Sequence, residues 1–360
     1  MDTPALVPLT PTAWPNSTIP TSPPECDIFT YQEAAPVIYP IFYTLVFLVS
    51  LLGNTLVLLI SCQHTRRHKV NATSIYLVNL AVSDALFTLV LPTRITYYIR
   101  HFDWPFGDAL CRVTTVLFYT NTYAGIAFMT CISMDRYLAM VHPQRAQGLR
   151  KVGTARRVSC VVWAIVMMQT TPLLFKQMVM EDHGRRTCME YFKLELSPYI
   201  LLAAVFVGFC FPLALILFCY SCISLKLSRT ARHNPVVCRT GRGDQARSII
   251  LVILVTFLLC FSPYHVNIIQ FMVRRLAAVG SASAMEPAPC DQQRAFKVAL
   301  QVTVSLMNLN CCLDPIIYFL AIKSYKERVV RFLRMRLPSS TTGGVTASLR
   351  SGPECSSSNT

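Results

Sequence analysis

The chain of 360 residues is 53% hydrophobic and only 14% charged, and its mean hydropathy is +0.44. Soluble domains carry about a quarter charged residues, so this composition excludes an ordinary soluble protein and indicates a polytopic membrane protein. The net charge of +15 does not indicate nucleic-acid binding, because the basic residues concentrate in alternate loops, as cytoplasmic loops of membrane proteins do.

Residues 1–36 form an N-terminal tail that is rich in Pro, Thr and Ser, a composition that favours disorder. The tail contains the glycosylation sequon Asn16-Ser17-Thr18, which is usable only if this end is extracellular. No basic start followed by an apolar run is present, so we expect no cleaved signal peptide.

Seven apolar runs follow within residues 37–322, and each reaches about 20 residues, the length of a membrane-spanning helix. The runs cover residues 37–62, 74–99, 110–141, 155–175, 198–226, 247–273 and 296–322. Basic residues gather after the first, third, fifth and seventh runs, which places the N-terminus outside and the C-terminus inside the cell. The sequence therefore predicts an all-α plasma-membrane protein, a seven-transmembrane helix bundle.

The cytoplasmic end divides into two parts. Residues 323–336 alternate basic and apolar side chains, which predicts a short amphipathic eighth helix on the lipid of the inner membrane surface, with a solvated tail helix as the alternative. Residues 337–360 are rich in Ser and Thr, and phosphates there would provide acceptor oxygens for a basic partner. A plain solvated tail is the alternative for this second part.

The third run carries chemistry at three levels. Cys111 opens it on the expected outer side, and Tyr119 and Tyr123 lie four residues apart, on one face of a helix. The run ends on Asp135-Arg136-Tyr137, at the wet inner boundary. The segment is therefore a candidate link between an outer disulfide, a central pocket and an inner ion pair.

Other runs contain residues that are unusual in a membrane. Asp84 and Asp314 are carboxylates within the second and seventh runs, and such groups are expensive to bury and functional by default. Pro212, Pro263 and Pro315 fall inside the fifth, sixth and seventh runs, where each should kink its helix and free a carbonyl. Kinked helices provide pivots for a bundle with two states.

Together these features resemble the rhodopsin-like (class A) G-protein-coupled receptors over the whole membrane domain. The resemblance is carried, in chain order, by Gly53-Asn54, Leu80-Ala81-x-x-Asp84, Cys111 and Asp135-Arg136-Tyr137, Trp163, Pro212 and Tyr220, Phe257 and Cys260-Phe261-Ser262-Pro263, and Asp314-Pro315-x-x-Tyr318. Each motif alone is weak, but seven in the right order are specific.

The resemblance implies roles for the motif residues. Disulfide bonds would join Cys111 to Cys188 and Cys26 to Cys290. Asp135 would hold Arg136 at rest and release it towards a heterotrimeric G protein when the sixth helix moves outward. The implied activation switch comprises Asp135, Arg136, Tyr137, Tyr220, Phe257, Phe261, Pro263, Asp314, Pro315 and Tyr318.

The resemblance also implies a polar site for sodium or protons in the middle of the bundle. Its residues would be Asp84, Asn121, Asn310 and Asp314. Gly125 stands where many members carry a hydroxyl residue, which puts sodium binding in doubt.

Within the family, the chain is similar to the receptors for hydroxylated sterols (oxysterols), which couple to inhibitory-class G proteins and guide immune-cell migration. The implied ligand residues are Arg94, Tyr119, Tyr123, Tyr264 and His265. They place polar tips on apolar bodies, although Arg94 could instead snorkel to the headgroups and the aromatic residues could be ordinary core. Arrestin and receptor kinases are the partners expected of the Ser/Thr-rich tail.

Three other functions remain as alternatives or are excluded. A chemokine or other peptide receptor on the same fold is the main rival, although the N-terminal tail has few acidic residues. A transporter would show internal repeats and paired broken helices, and the sequence has neither. An enzyme is not expected, because no catalytic, metal-spaced or phosphate-loop pattern is found, and no cofactor is expected.

Overall fold

The computed structural model describes residues 33–67, 70–144, 146–182, 184–189, 198–233, 242–279, 290–321 and 326. Within these ranges seven helical spans are long and apolar enough to cross a membrane, which confirms the predicted bundle. The spans, numbered 1 to 7 in chain order, are Ala35–Gln63, Ala72–Ile99, Gly107–Val141, Val152–Phe175, Pro198–Thr230, Gln245–Ala277 and Cys290–Ala321. The N-terminal tail up to residue 32, the expected eighth helix except residue 326, and the tail at 337–360 lie outside the described residues.

Several spans are built from more than one helical segment. The α-helices are Ala35–Arg67, Ala72–Thr88, Leu91–Ile99, Gly107–Val141, Val152–Thr170, Pro198–Val205, Phe211–His233, Arg242–Thr256, Ser262–Val279, Cys290–Asn308 and Asn310–Ala321. A 3-10 turn, Thr171–Phe175, completes span 4, and π-helical turns occupy Phe206–Cys210 in span 5 and Phe257–Phe261 in span 6.

The irregular turns follow from local chemistry. The two π-helical turns end just before Pro212 and Pro263, where the missing N–H of each proline leaves a carbonyl one turn earlier without its donor. Span 2 is interrupted after Thr88, whose hydroxyl donates to the carbonyl of Asp84 at 2.7 Å. Pro92 then begins the outer segment of this span. The predicted proline sites thus coincide with departures from regular helix in spans 5 and 6.

Span 3 is the centre of the bundle, because it packs against spans 2, 4, 5 and 6. The side chains that face outward from the bundle are apolar rather than polar. Leu52 in span 1 is 71% exposed and Phe206 in span 5 is 65% exposed. Such outward faces suit hydrocarbon, while the polar residues of the spans are turned inward.

A small β-hairpin covers part of the outer side and was not predicted from the sequence. Its strands, β1 (Val179–Asp182) and β2 (Arg185–Cys188), are antiparallel, and Val179 is paired with Cys188. Asp108, at the start of span 3, accepts hydrogen bonds from the backbone N–H groups of Met178 and Val179 at 2.8 and 2.9 Å. The hairpin is therefore fixed to the outer end of the central span.

Candidate functional site

A cavity of about 270 Å³ lies in the outer half of the bundle, between spans 3, 4, 5, 6 and 7. Three of the five predicted ligand residues line it, namely Tyr119, Tyr123 and Tyr264. The other lining residues are Gln169, Thr170, Leu173, Leu201, Ala204, Val205, Ile268, Phe271, Met272 and Phe296. None of these lining residues is charged. The cavity thus combines apolar walls with a few hydroxyl and amide groups.

The two tyrosines of span 3 form one aromatic wall. Their rings are stacked, with centroids 6.2 Å apart and planes 11° apart, as their four-residue spacing predicts. Gly208 of span 5 makes room for this wall, because a Cβ there would lie only 3.0 Å from Cε1 of Tyr123. The ring of Tyr123 therefore packs directly on the backbone of span 5.

Several lining residues were missed by the sequence analysis. Gln169 and Thr170 lie at the outer end of span 4, where nothing in the sequence separates them from other residues of the span. Phe271 and Phe296 come from spans 6 and 7, and their rings stack with centroids 4.4 Å apart. Aromatic residues near the outer ends of two spans were the available signal, but only the fold shows that the two rings meet.

His265 lies behind the cavity rather than in its lining. Its side chain is fully buried and stacks on the ring of Phe209, with centroids 4.2 Å apart and planes 4° apart. Nδ1 is 2.8 Å from the carbonyl oxygen of Phe261, so this nitrogen must be the donor. Tyr264 meets the imidazole edge-on at 5.2 Å. The position of His265 suits support of Tyr264, and its predicted ligand contact stays a prediction.

Arg94 lies in the outer segment of span 2 and is not among the residues that line the cavity. Its side chain is only 6% exposed, and it interacts electrostatically with Tyr97 and Tyr98 of the same helix. Tyr98 stacks on Tyr43 of span 1, with centroids 5.5 Å apart. Arg94 therefore belongs to an inward-facing aromatic cluster between spans 1 and 2, and it does not snorkel to the surface.

The outer cysteines agree with the expected pairing as far as they are described. Cys111 and Cys188 are joined by a disulfide bond, which ties β2 to the outer end of span 3. Cys290 is also disulfide-bonded. Its expected partner, Cys26, lies outside the described residues, so that pairing stays a prediction.

Three of the four residues of the implied polar site, Asp84, Asn121 and Asp314, lie together at the centre of the bundle. Asn121 donates to Oδ1 of Asp84 at 2.8 Å, and the carboxyl groups of Asp84 and Asp314 lie within hydrogen-bonding reach of each other. Both carboxyl groups are fully buried. Among the described residues, the remaining carboxyl oxygens and Nδ2 of Asn310 have no regular hydrogen-bond partner. This arrangement could hold a cation or a shared proton.

A close approach of spans 1 and 7 supports this polar centre. A Cβ at Gly53 would lie 2.7 Å from Cγ of Pro315, so a glycine is needed for the contact. The neighbouring Asn54 reaches across and donates to the carbonyl of Cys311 at 2.9 Å. The Gly-Asn and Asp-Pro motifs therefore meet in space, although more than 250 residues separate them in the sequence.

At the end of span 3 opposite the disulfide bond, Asp135 is held by three neighbours. Its Oδ2 lies 3.6 Å from Arg136 and accepts a hydrogen bond from Thr73 at 2.5 Å, while its Oδ1 is 3.0 Å from Nε of Arg150. Thr73 also contacts the guanidinium of Arg136. Thr73 and Arg150 were missed as partners, because the sequence shows them only as a helix-start residue and one of many basic loop residues.

The other implied switch residues make contacts of their own in the bundle. Tyr318 donates to the carbonyl of Leu77 in span 2, and the hydroxyl of Tyr137 lies 3.2 Å from Nε2 of His142.

In span 6, Phe257 and Phe261 are both buried, with ring centroids 5.4 Å apart in the π-helical turn before Pro263. Tyr220 is half-buried against the core. The roles of these residues in activation stay predictions.

The N-terminal end of span 6 is closed against span 7. Gln245 Nε2 donates to the carbonyl of Leu320 in span 7 at 2.7 Å. Ala246, Ile249 and Ile250 are buried beneath this contact. The N-terminal end of span 6 and the C-terminal end of span 7 are therefore joined by a side-chain hydrogen bond that no sequence pattern predicts.

Comparison with known proteins agrees with this architecture. Residues 53–318 match the model of the 7 transmembrane receptor (rhodopsin family). The chain is 44% identical to G-protein coupled receptor 183 of Homo sapiens over 345 residues, which covers 94% of this chain and 92% of the relative. It is 41% identical to G-protein coupled receptor 183-A of Danio rerio over 335 residues, covering 92% and 87%.

A more distant relative is the uracil nucleotide/cysteinyl leukotriene receptor of Homo sapiens, which is 34% identical over 293 residues and covers 81% of this chain and 75% of its own length. All of these relatives are receptors, and none is an enzyme by name. The three comparisons cover 94%, 92% and 81% of this chain. The chain belongs to the rhodopsin family of seven-transmembrane G-protein-coupled receptors and is a multi-pass receptor of the plasma membrane.

Proposed function

We propose that this receptor binds an oxysterol in the outer cavity and activates an inhibitory-class G protein, thereby directing immune-cell migration. The observation that carries the proposal is an uncharged, largely apolar cavity into which Tyr119, Tyr123 and Tyr264 bring hydroxyl groups. Apolar walls bury the rings of a sterol, and the tyrosines orient its hydroxyls. A site built to bond a hydroxyl rejects the analogue that lacks it, because its own polar groups then stay unpaired.

The sequence resemblance points in the same direction. Residues 91–112, 118–125, 187–191, 260–270 and 306–319 resemble the oxysterol receptor first described as Epstein–Barr-virus-induced, whose ligand is 7α,25-dihydroxycholesterol. That resemblance supports the ligand class, the inhibitory coupling and the role in migration. The tyrosines of spans 3 and 6 fall within these residues, as does Arg94.

The main alternative is a chemokine or other peptide receptor on the same fold. A peptide carries backbone amides and often charged groups, and the cavity offers no charged lining residue for them. Amine ligands are disfavoured for the same reason, since no acidic side chain lines the cavity. The amide of Gln169 is the lining group that suits a peptide best, and it does not outweigh the three tyrosines.

A panel of sterols on cells that express the chain tests the proposal through inhibition of cAMP formation. Sterols hydroxylated on both ring and side chain should act, whereas cholesterol should not. Tyr264→Phe, which removes one hydroxyl from a buried position, should lower the potency of the agonist about three- to tenfold, the usual size of one hydrogen bond. A peptide agonist with no sterol response, or an unchanged response after deletion of the hydroxyls, would contradict the proposal.

Activation is expected to move span 6 away from the bundle. Agonist binding favours the state in which span 6 is displaced, and a ligand shifts this equilibrium only by its difference in affinity for the two states. Arg136, which pairs with Asp135 and contacts Thr73, would then turn to the G protein. Tyr220 and Tyr318 would pack inward around it.

Gln245→Ala should raise the basal activity of the receptor. The variant removes the hydrogen bond that joins span 6 to Leu320, and such a bond stabilises the closed state by about 0.5–1.5 kcal/mol. The population of the open state, and with it agonist-independent inhibition of cAMP, should rise about two- to tenfold. Ser248→Ala, at an exposed position on the same helix, is the matched control. Equal basal activity in the two variants at equal surface expression would show that the bond does not hold span 6 closed.

Several further features belong to the same proposal. The basic loops support an extracellular N-terminus with a glycan on Asn16 and a cytoplasmic C-terminus. Phosphorylation of the tail at 337–360 by receptor kinases would recruit arrestin, and the helix expected at 323–336 would lie on membrane lipid. The polar site of Asp84, Asn121, Asn310 and Asp314 would hold a proton more readily than sodium, because Gly125 supplies no hydroxyl ligand.

A further inference from the structure

A second recess lies outside the main cavity, in the crevice between spans 1 and 2. It has a volume of about 260 Å³. Its exposed rim is mostly apolar, with Leu51, Leu86 and Leu89 at 40%, 36% and 69% exposure, so it opens towards lipid. Thr55 is the exposed polar residue of this rim. Ser50, Asn54 and Thr88, which also line it, are buried. The crevice therefore has an apolar opening towards lipid and a polar floor, formed by Ser50, Asn54 and Thr88.

The hydroxyl hydrogens of Ser50 and Thr88 on this floor are both already used in hydrogen bonds. Thr88 donates its hydroxyl hydrogen to the carbonyl of Asp84 at 2.7 Å. Ser50 lies 2.6 Å from the Thr88 hydroxyl, and it must be the donor of that pair because the hydrogen of Thr88 is already used. The floor therefore presents spare oxygen lone pairs, and it has no hydroxyl hydrogen left to donate.

Asn54 adds to this acceptor character. Its Nδ2 is directed to the carbonyl of Cys311 at 2.9 Å and to the backbone and hydroxyl oxygens of Ser50 at 3.1 and 3.2 Å. Its Oδ1 is buried and has no hydrogen-bond partner in the described part of the chain. A buried acceptor without a donor is costly, so the floor favours an occupant that brings a hydrogen-bond donor.

The level of the floor restricts the occupant further. Ser50 lies next to the midpoint of the span Ala35–Gln63, and hence near the middle of the bilayer. The ester carbonyls of glycerolipids are acceptors and lie at the headgroup level, and the ring hydroxyl of cholesterol lies there too. A hydroxyl on the side chain of a sterol, by contrast, reaches about 15 Å below the headgroups, which is half the thickness of the hydrocarbon core.

We infer that this crevice is a second lipid site, which takes the side-chain end of a membrane-dissolved sterol that carries a hydroxyl there. The crevice is open along its rim, where Leu89 is 69% exposed, so it does not enclose a whole ligand. It therefore holds the branched tail and its hydroxyl, while the ring system stays in the bilayer against spans 1 and 2. The inference does not depend on which ligand occupies the main cavity.

Photolabelling of the full chain in lipid nanodiscs tests this site. The probe is a sterol hydroxylated on its side chain that carries a photoreactive group near the tail, and the matched probe lacks only the side-chain hydroxyl. Peptide mapping should show about three- to tenfold more label on spans 1 and 2 with the hydroxylated probe, the worth of one hydrogen bond. Leu86→Trp, which fills the mouth of the crevice, should remove this excess.

Leu52→Trp is the control, because Leu52 is exposed to lipid on span 1 but does not line the crevice. This variant should label like the unchanged chain. Equal labelling of spans 1 and 2 by the two probes would overturn the inference, and so would an excess that survives Leu86→Trp. Label on the main cavity appears on peptides of spans 3, 5 and 6, so that failure at one site is distinguishable from failure at the other.

Discussion

In a receptor carrying Ile268→Trp, the response to an oxysterol is expected to fall by about ten- to a hundredfold or to disappear. Ile268 lines the outer cavity from span 6 and is only 6% exposed, so the larger indole must enter the space of about 270 Å³ that the ligand would occupy. Excess volume in a packed site costs about 1–3 kcal/mol, which corresponds to this loss of affinity. Concentration–response curves for inhibition of cAMP measure the change.

Val266→Trp is the matched control for this variant. Val266 lies two residues away on the same helix, is 47% exposed, and does not line the cavity. The same substitution there should leave the potency of the sterol unchanged. Surface expression of both variants is measured with a tag on the N-terminus. If Ile268→Trp reaches the surface and responds with full potency, the agonist does not occupy the cavity between the tyrosines.

The seven-helix bundle could be predicted from the sequence because the requirements for a membrane-spanning helix are simple. A span needs about 20 apolar residues and satisfies its own backbone, so the length and composition of each run identify it without knowledge of its neighbours. The pairing of Cys111 with Cys188 and the meeting of Asp84 with Asp314 required the family resemblance, since spacing alone left other pairings open.

Contacts between distant segments could not be read from the sequence. Thr73 and Arg150 both hold Asp135, but one begins a helix and the other lies among several basic loop residues. The hairpin at 179–188 is too short to show a clear alternation of apolar residues, and its attachment to Asp108 depends on the fold. The residues that line the cavity could not be predicted for the same reason. A residue such as Gln169 is distinguished only by the neighbouring spans that its side of the helix contacts.

For Arg94, the family resemblance and the structure indicate different positions relative to the ligand. The resemblance implies that its guanidinium binds a hydroxyl of the ligand. The structure places it in the cluster with Tyr97 and Tyr98, outside the lining of the cavity that holds Tyr119, Tyr123 and Tyr264. A ligand that touches both regions must therefore extend from spans 3 and 6 towards the outer segment of span 2. The two positions can be tested by one substitution.

Arg94→Ala is expected to abolish the oxysterol response while the receptor still reaches the cell surface. Loss of one partner from a buried, charge-assisted hydrogen bond costs about 2–5 kcal/mol, a loss of more than about thirtyfold in potency. Arg100→Ala is the control, because Arg100 follows on the same side of the membrane with a side chain that is 53% exposed and paired with Asp103 at 3.3 Å. This control should signal normally.

The ligand itself separates a direct contact from a packing effect of Arg94. A sterol that lacks the hydroxyl bound by Arg94 has already lost that bond, so its weaker potency should be the same in the unchanged receptor and in Arg94→Ala. A packing role for Arg94 would instead weaken both ligands to the same degree, because the cluster with Tyr97 and Tyr98 would be disturbed for each. Normal potency of the hydroxylated sterol on Arg94→Ala would rule out Arg94 as a ligand residue and restrict the site to the cavity between the tyrosines.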